Sequence, residues 1–134
     1  MSILTKIIVA FTLWLPLSSY SLGIGEIKVN SRLNQNLNAQ ILLVLSNGEN
    51  LSDIKIILAT QSKFDEAGLL RLPFLSSICF STKVLPDGTL YITLTTNEPV
   101  KEPFLHFLLE VNGLKSTLYR EYTVLIDPPS VYLN

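Results

Sequence analysis

The residues able to do chemistry are few. The chain holds one histidine, His106, and one cysteine, Cys79, in 134 residues. A serine-type hydrolase needs an imidazole held between a nucleophile and a carboxylate. His106 instead falls inside an alternating run, on the face opposite Leu105 and Phe107, so the pattern predicts a surface or half-buried strand residue. The chain has no G-x-S-x-G stretch, the usual setting of a hydrolase serine. One histidine and one cysteine are too few for a structural zinc site of the usual composition. Glu98, Glu102, Glu110, Glu121 and Asp127 are the material for a general acid–base pair, but such a pair must converge in a pocket. Salt bridges to Arg120, Lys101 or Lys28 are their plainer role. Gly23-Ile24-Gly25 has no strand before it and no helix after it, so it is no nucleotide-binding turn. It reads as a close backbone approach or a bulge in a first strand. Asn47, Glu49, Asn50 and Asp53 are the nearest thing to a calcium loop and lack its repeat. No catalytic, metal or cofactor-binding residue is assigned. The expectation is a protein that is not an enzyme and needs no cofactor.

Composition narrows the remaining classes. Hydrophobic residues are 48% and charged residues 16% of the chain, which excludes a disordered, charge-rich protein. The net charge is -1, so nothing favours nucleic acid, whose binders carry a basic surface. The length suits one domain.

The apolar content is concentrated at the start. Lys6 precedes an apolar stretch from Ile7 to Leu17, broken only by Thr12 and Pro16, and Ser18, Ser19 and Ser21 follow. A positive start, a short apolar centre and a small-x-small end make a secretory signal peptide. The stretch is well short of the roughly 20 residues that span a bilayer. Cleavage is expected after Ser21, giving a signal peptide over 1–21, a domain over 22–129 and a tail over 130–134. The alternative is an uncleaved N-terminal tether. Export would leave Cys79 as a single thiol in an oxidising compartment, either buried and inert or open to another chain. Its neighbours Ile78 and Phe80 favour burial.

The rest of the chain alternates with period two. Seven segments do so, around Ile27–Val29, Ala39–Leu45, Ile54–Leu58, Ile78–Val84, Leu90–Leu94, Leu105–Val111 and Tyr122–Ile126. Asn47-Gly48, Asp87-Gly88 and Asn112-Gly113 are turn dipeptides, the last two closing hairpins. Pro99 and Pro103 bracket a segment unfit for a central strand. One helical turn is expected, capped by Ser62 and ended by Gly68. Seven short strands with almost no helix predict an all-β, immunoglobulin-like β-sandwich.

Two blocks carry a family likeness. The first runs from Leu22 to Leu37, LGIGEIKVNSRLNQNL; the second comprises EPVKEPFLHFLLEVN from Glu98 and YREYTVLIDPP ending at Pro129. Leu51-Ser52-Asp53 and Phe64-Asp65-Glu66-Ala67-Gly68-Leu69 lie between them. This resembles the FimV N-terminal domain, the periplasmic part of a type IV pilus assembly and cell-pole protein. The resemblance implies a mature start at Leu22, a periplasmic location, and a role in pilus assembly or envelope organisation. The turn after EVN departs from the family, with Asn112-Gly113-Leu114-Lys115 in place of a tryptophan-containing turn. Such proteins continue into a LysM module, a membrane helix and repeats, which this sequence lacks. The expectation is therefore no direct peptidoglycan binding, no membrane span after cleavage, and either a stand-alone domain or the remnant of a longer gene.

The implied mode of action is protein contact, with a partner in the envelope such as pilus or secretion machinery. Sheet edges offer unpaired backbone groups to a partner strand. The first strand, with Glu26 and Lys28, and the segment of Glu98, Pro99 and Pro103 are the expected edges. Leu42, Val44, Ile57 and Leu108 fall opposite the core positions and are expected to form an exposed apolar patch. A chaperone-like module that binds strands is the alternative.

Overall fold

The structure is a computed structural model that describes residues 21–129. The expected signal peptide and tail lie outside these residues, apart from Ser21. Seven strands form: β1 (Gly23–Val29), β2 (Asn36–Val44), β3 (Lys55–Leu58), β4 (Cys79–Val84), β5 (Leu90–Pro99), β6 (Phe104–Asn112) and β7 (Thr117–Leu125). One sheet has the order β1-β2-β5-β4 and the other β3-β6-β7. All pairings are antiparallel. The seven alternating segments thus become seven strands of an immunoglobulin-like sandwich.

The alternation explains why the sheets stack. Leu37, Ala39, Ile41 and Leu43 of β2 point inward and are buried, as are Ile92 and Leu94 of β5. Leu105, Phe107, Leu109 and Val111 of β6 meet them from the other sheet. Each large side chain so buried stabilises the fold by roughly 1.5–3 kcal/mol. Tyr122 of β7 adds its ring 5.5 Å from that of Phe107.

The turn dipeptides act as read. Gly88, at φ +88°, turns β4 into β5, and the Asp87 carboxylate accepts from Thr89 N at 2.9 Å. Hydrogen bonds from Thr89 hold that carboxyl below its usual range. Gly113 donates to Ser116 O at 2.8 Å and closes the β6–β7 hairpin. In β1 the register slips between Ile24 and Ile27. A Cβ on Gly25 would lie 2.9 Å from Leu42 Cβ, so the bulge and the close approach fall at the same glycine.

Four details differ from the sequence reading. The helical turn, α1 (Gln61–Glu66), is capped by Thr60, whose side chain accepts from Lys63 N. Ser62 lies inside the helix. Second, Cys79 is exposed. Ile78 and Phe80 point inward, so the strand between them turns Cys79 outward despite its apolar neighbours. Third, Leu108 is buried, at 7% exposure. Ala59 N donates to Leu108 O, so both side chains share the outer face of the sheet. Helix α1 follows Ala59 at once and brings Lys63 Nζ 5.2 Å from the ring of outward-facing Tyr119. It stands over that face only at the end near Ala59 and Tyr119, where Leu108 is too buried to join an apolar patch, while His106 further along β6 stays exposed. Fourth, Pro99–Pro103 is not a sheet edge. It is the crossover between the sheets, tied to the 31–35 loop by Asn34 N to Val100 O and Val100 N to Gln35 O.

Candidate protein-interaction surface

The groups capable of catalysis do not converge. His106 lies on the exposed outer face of β6, where its Nε2 meets Glu121 Oε1 at 2.6 Å with Thr123 directly across the ladder. This is an exposed hydrogen-bonded pair on the sheet surface, with no nucleophile beside it. Glu110 lies further along the same face, where Asn112 Nδ2 donates to it at 2.8 Å. Glu98 and Glu102 line one shallow cavity of about 350 Å³ with Lys101 between them, at the sheet crossover. Among the described residues no three of the His, Cys, Asp and Glu side chains gather as a metal site.

The two open sides of the sandwich differ. On one side β1 faces β7, and β7 side chains close the gap. Tyr122 OH donates to Gly25 O at 2.6 Å. Arg120 donates to Ile24 O and pairs with Glu26 Oε1 at 2.6 Å. The carbonyls that the β1 bulge turns out of the ladder are therefore occupied. Burial pushes the Tyr122 phenol up to about 12, against the opposing pull of Arg120.

On the other side β3 faces β4, and the gap is filled only in part, by the 71–78 segment that carries the buried Leu75. Among the described residues, the four of β3 pair only with β6 and leave one edge bare. Strand β4 pairs only with β5. Phe80, Thr82 and Val84 share the inward-facing parity of β4, yet Phe80 is only half-buried, Thr82 is exposed and Val84 is 57% exposed. A four-stranded sheet here overhangs a three-stranded one. A cavity of about 300 Å³ runs along the seam between Ile56, Leu58, Leu75 and Phe80, with Arg71 at its wall. Lys55 and Lys83 are exposed on the two edge strands. Neither they nor Arg71 takes part in an ion pair among the described residues.

The expected contact residues are thus dispersed. Glu26 and Lys28 lie exposed on β1, and Glu26 is engaged by Arg120. Leu42 and Val44 are exposed on the outer face of the larger sheet, opposite Gly25 and Gly23, with Tyr91 beside Leu42. Ile57 is half-buried at the β3 edge. Glu98, Pro99 and Pro103 are exposed at the crossover. Val84 and Thr82 lie outside that expectation, and of β3 it holds Ile57 alone. Their signal was the lysine in each of the two strands, since edge strands often carry lysine.

Comparison with known proteins agrees with the architecture. Residues 22–129 match the family described as the FimV N-terminal domain Ig-like domain. The chain is 40% identical over 111 residues to the motility hub protein FimV of Pseudomonas aeruginosa PAO1, and equally so to that of strain UCBPP-PA14. The match covers 83% of this chain but 12% of each relative, so the chain spans a small part of their length. No solved structure matches it. Among the described residues no helix is long and apolar enough to cross a membrane. The chain belongs to the FimV N-terminal domain family.

Proposed function

We propose that the chain is exported, cleaved before Leu22, and acts in the periplasm as a protein-interaction module in type IV pilus assembly or cell-pole organisation. It works by accepting an extended segment of an envelope protein along the β3–β4 seam. The observation that carries this reading is the uncovered inner face of β4, with Val84 57% exposed at a position of core parity. A strand added to β3 would become a fourth strand of the smaller sheet. It would lie opposite β4, pair the bare β3 edge, and cover Phe80 and Val84. Lys55, Lys83 and Arg71 around the seam favour a segment whose apolar residues alternate with acidic ones. The same geometry serves a strand-binding chaperone, which would take many such segments rather than one.

A photocrosslinking residue at Thr82 in the exported chain tests this in cells. The expected result is one envelope protein, crosslinked through an extended acidic–apolar peptide, with the adduct lost in Lys55→Glu/Lys83→Glu. Adducts with many unrelated exported proteins would select the chaperone role. Adducts from Leu42 but not Thr82 would overturn the seam in favour of the outer face. A folded protein with no adduct from either position would overturn the docking reading.

A further inference from the structure

Glu49 is buried at 8% exposure, and among the described residues its Oε2 has no hydrogen-bond partner. The other oxygen, Oε1, accepts from Ser46 Oγ at 2.6 Å. The backbone leaves room for the orphan atom. A Cβ on Gly113 would lie 2.8 Å from Oε2, so any other residue there would push the carboxylate aside. An ionised carboxylate oxygen left dry and unpaired is costly, and a fold that keeps one has a use for it.

Glu49 borders a cavity of about 340 Å³ with Ser21, Leu22, Ser46, Asn47, Lys115 and Ser116. The ladder between β1 and β2 ends at Gly23 opposite Val44. Leu22, one residue before β1, lines the same cavity as the Ser46 that holds Glu49. The Leu22 side chain is itself buried, which fixes its backbone nitrogen in place. In the uncleaved chain that nitrogen is a neutral amide with a single proton to donate.

We propose that Glu49 is the receptor for the α-ammonium group that forms on Leu22 when the signal peptide is removed. This rests on the export reading above. Water adds across the Ser21–Leu22 amide in a signal peptidase. Its hydroxyl goes to the Ser21 carbonyl carbon and a proton to the Leu22 nitrogen. At neutral pH that nitrogen takes a second proton and becomes a cation with three donors. Buried Leu22 holds it at the cavity, where Glu49 Oε2 supplies the opposite charge. Processing then completes the fold, and the uncleaved precursor keeps an uncompensated carboxylate. Lys115 is the competing cation, exposed at the same cavity.

The test uses the protein exported and purified from the periplasm. Mass spectrometry of its N-terminus first establishes whether Leu22 leads the mature chain. A different first residue overturns the cleavage reading and this proposal with it. With Leu22 confirmed, thermal unfolding compares the mature protein, a form carrying two extra residues before Leu22, and Glu49→Gln versions of both. The extension is expected to lower Tm by about 5 °C with Glu49 present and to change little in the Glu49→Gln background, which has no charge to compensate. Equal losses in both backgrounds would overturn the pair. A Lys115→Gln variant that alone abolishes the Glu49 dependence would assign the carboxylate to Lys115 instead. The Leu22 amine should also titrate above its ordinary range near about 8 by NMR, and return to it in Glu49→Gln.

Discussion

Tyr122 and Arg120 show how single side chains decide which side of the sandwich is closed. Both project from β7 to carbonyls that the β1 bulge turns out of the ladder. Tyr122→Phe removes the bond to Gly25 O and leaves that carbonyl unpaired. We expect a loss of about 1–1.5 kcal/mol, read as a lower Tm. The raised phenol also sets a sign. The unfolded tyrosine ionises near about 10, whereas the folded one holds its proton up to about 12. Its contribution is therefore whole below the first value and lost as pH rises through the second. Burial also raises the Tyr119 phenol, so phenolate absorbance should show Tyr122 as the last tyrosine to titrate, at about 12, and that last step should be absent in Tyr122→Phe. Cys79 gives a second residue-scale check. It is exposed, so a maleimide should label it fully without denaturant. Slow labelling that needs unfolding would return it to the core. The alternation already placed Cys79 opposite Ile78 and Phe80; its apolar neighbours argued for burial and were the poorer guide. Glu49 was legible only as an acidic residue in a polar loop, because its burial depends on Gly113, far along the chain.

At the scale of elements, seven alternating segments sufficed to find seven strands, since each must bury one face. The pattern could not show which outward faces another element would cover. Helix α1 is six residues long and decides the fate of Leu108, which has the same outward parity that leaves His106 exposed. Leu108→Ala should therefore cost about 2–5 kcal/mol. Leu42→Ala, at an outward position with no such cover, should stay within about 0.5 kcal/mol. Denaturant melts of the two variants would test the contrast, and similar losses in both would contradict the cover by α1. The paired glycines of β1 were read as a bulge or a close approach, and Gly25 serves both. Gly25→Ala forces a methyl against Leu42 Cβ and should cost about 1–3 kcal/mol. The cap is harder to place because Ser62 is the better N-cap of the two in isolation, yet Thr60 takes the role. The choice between them falls to the end of β3, which ends at Leu58 and leaves Thr60 extended at the helix entry.

For the whole molecule, the decisive property is a mismatch between its sheets. Four strands face three, and the missing partner falls on the β3–β4 side. No local pattern announces this, because it depends on how strands distant in sequence line up. Period two can say that Val84 has core parity, but not that the opposite sheet stops short of it. The closed side carries three side-chain bonds from β7 to β1, whereas the open side exposes edge backbone and apolar side chains to water. Local opening should therefore be unequal. In native-state hydrogen exchange we expect the amides of β4 that pair with β5 to open at lower free energy than the amides of β1 that pair with β2, although both strands are edges of the same sheet. Tyr122→Phe should narrow the difference by loosening β1 alone. A bound strand at the seam should narrow it from the other direction by covering Phe80 and Val84. Equal protection of the two edges in the free protein would mean that the β3–β4 seam costs the fold nothing to leave open, and the overhang of the larger sheet would no longer single out that side for a partner.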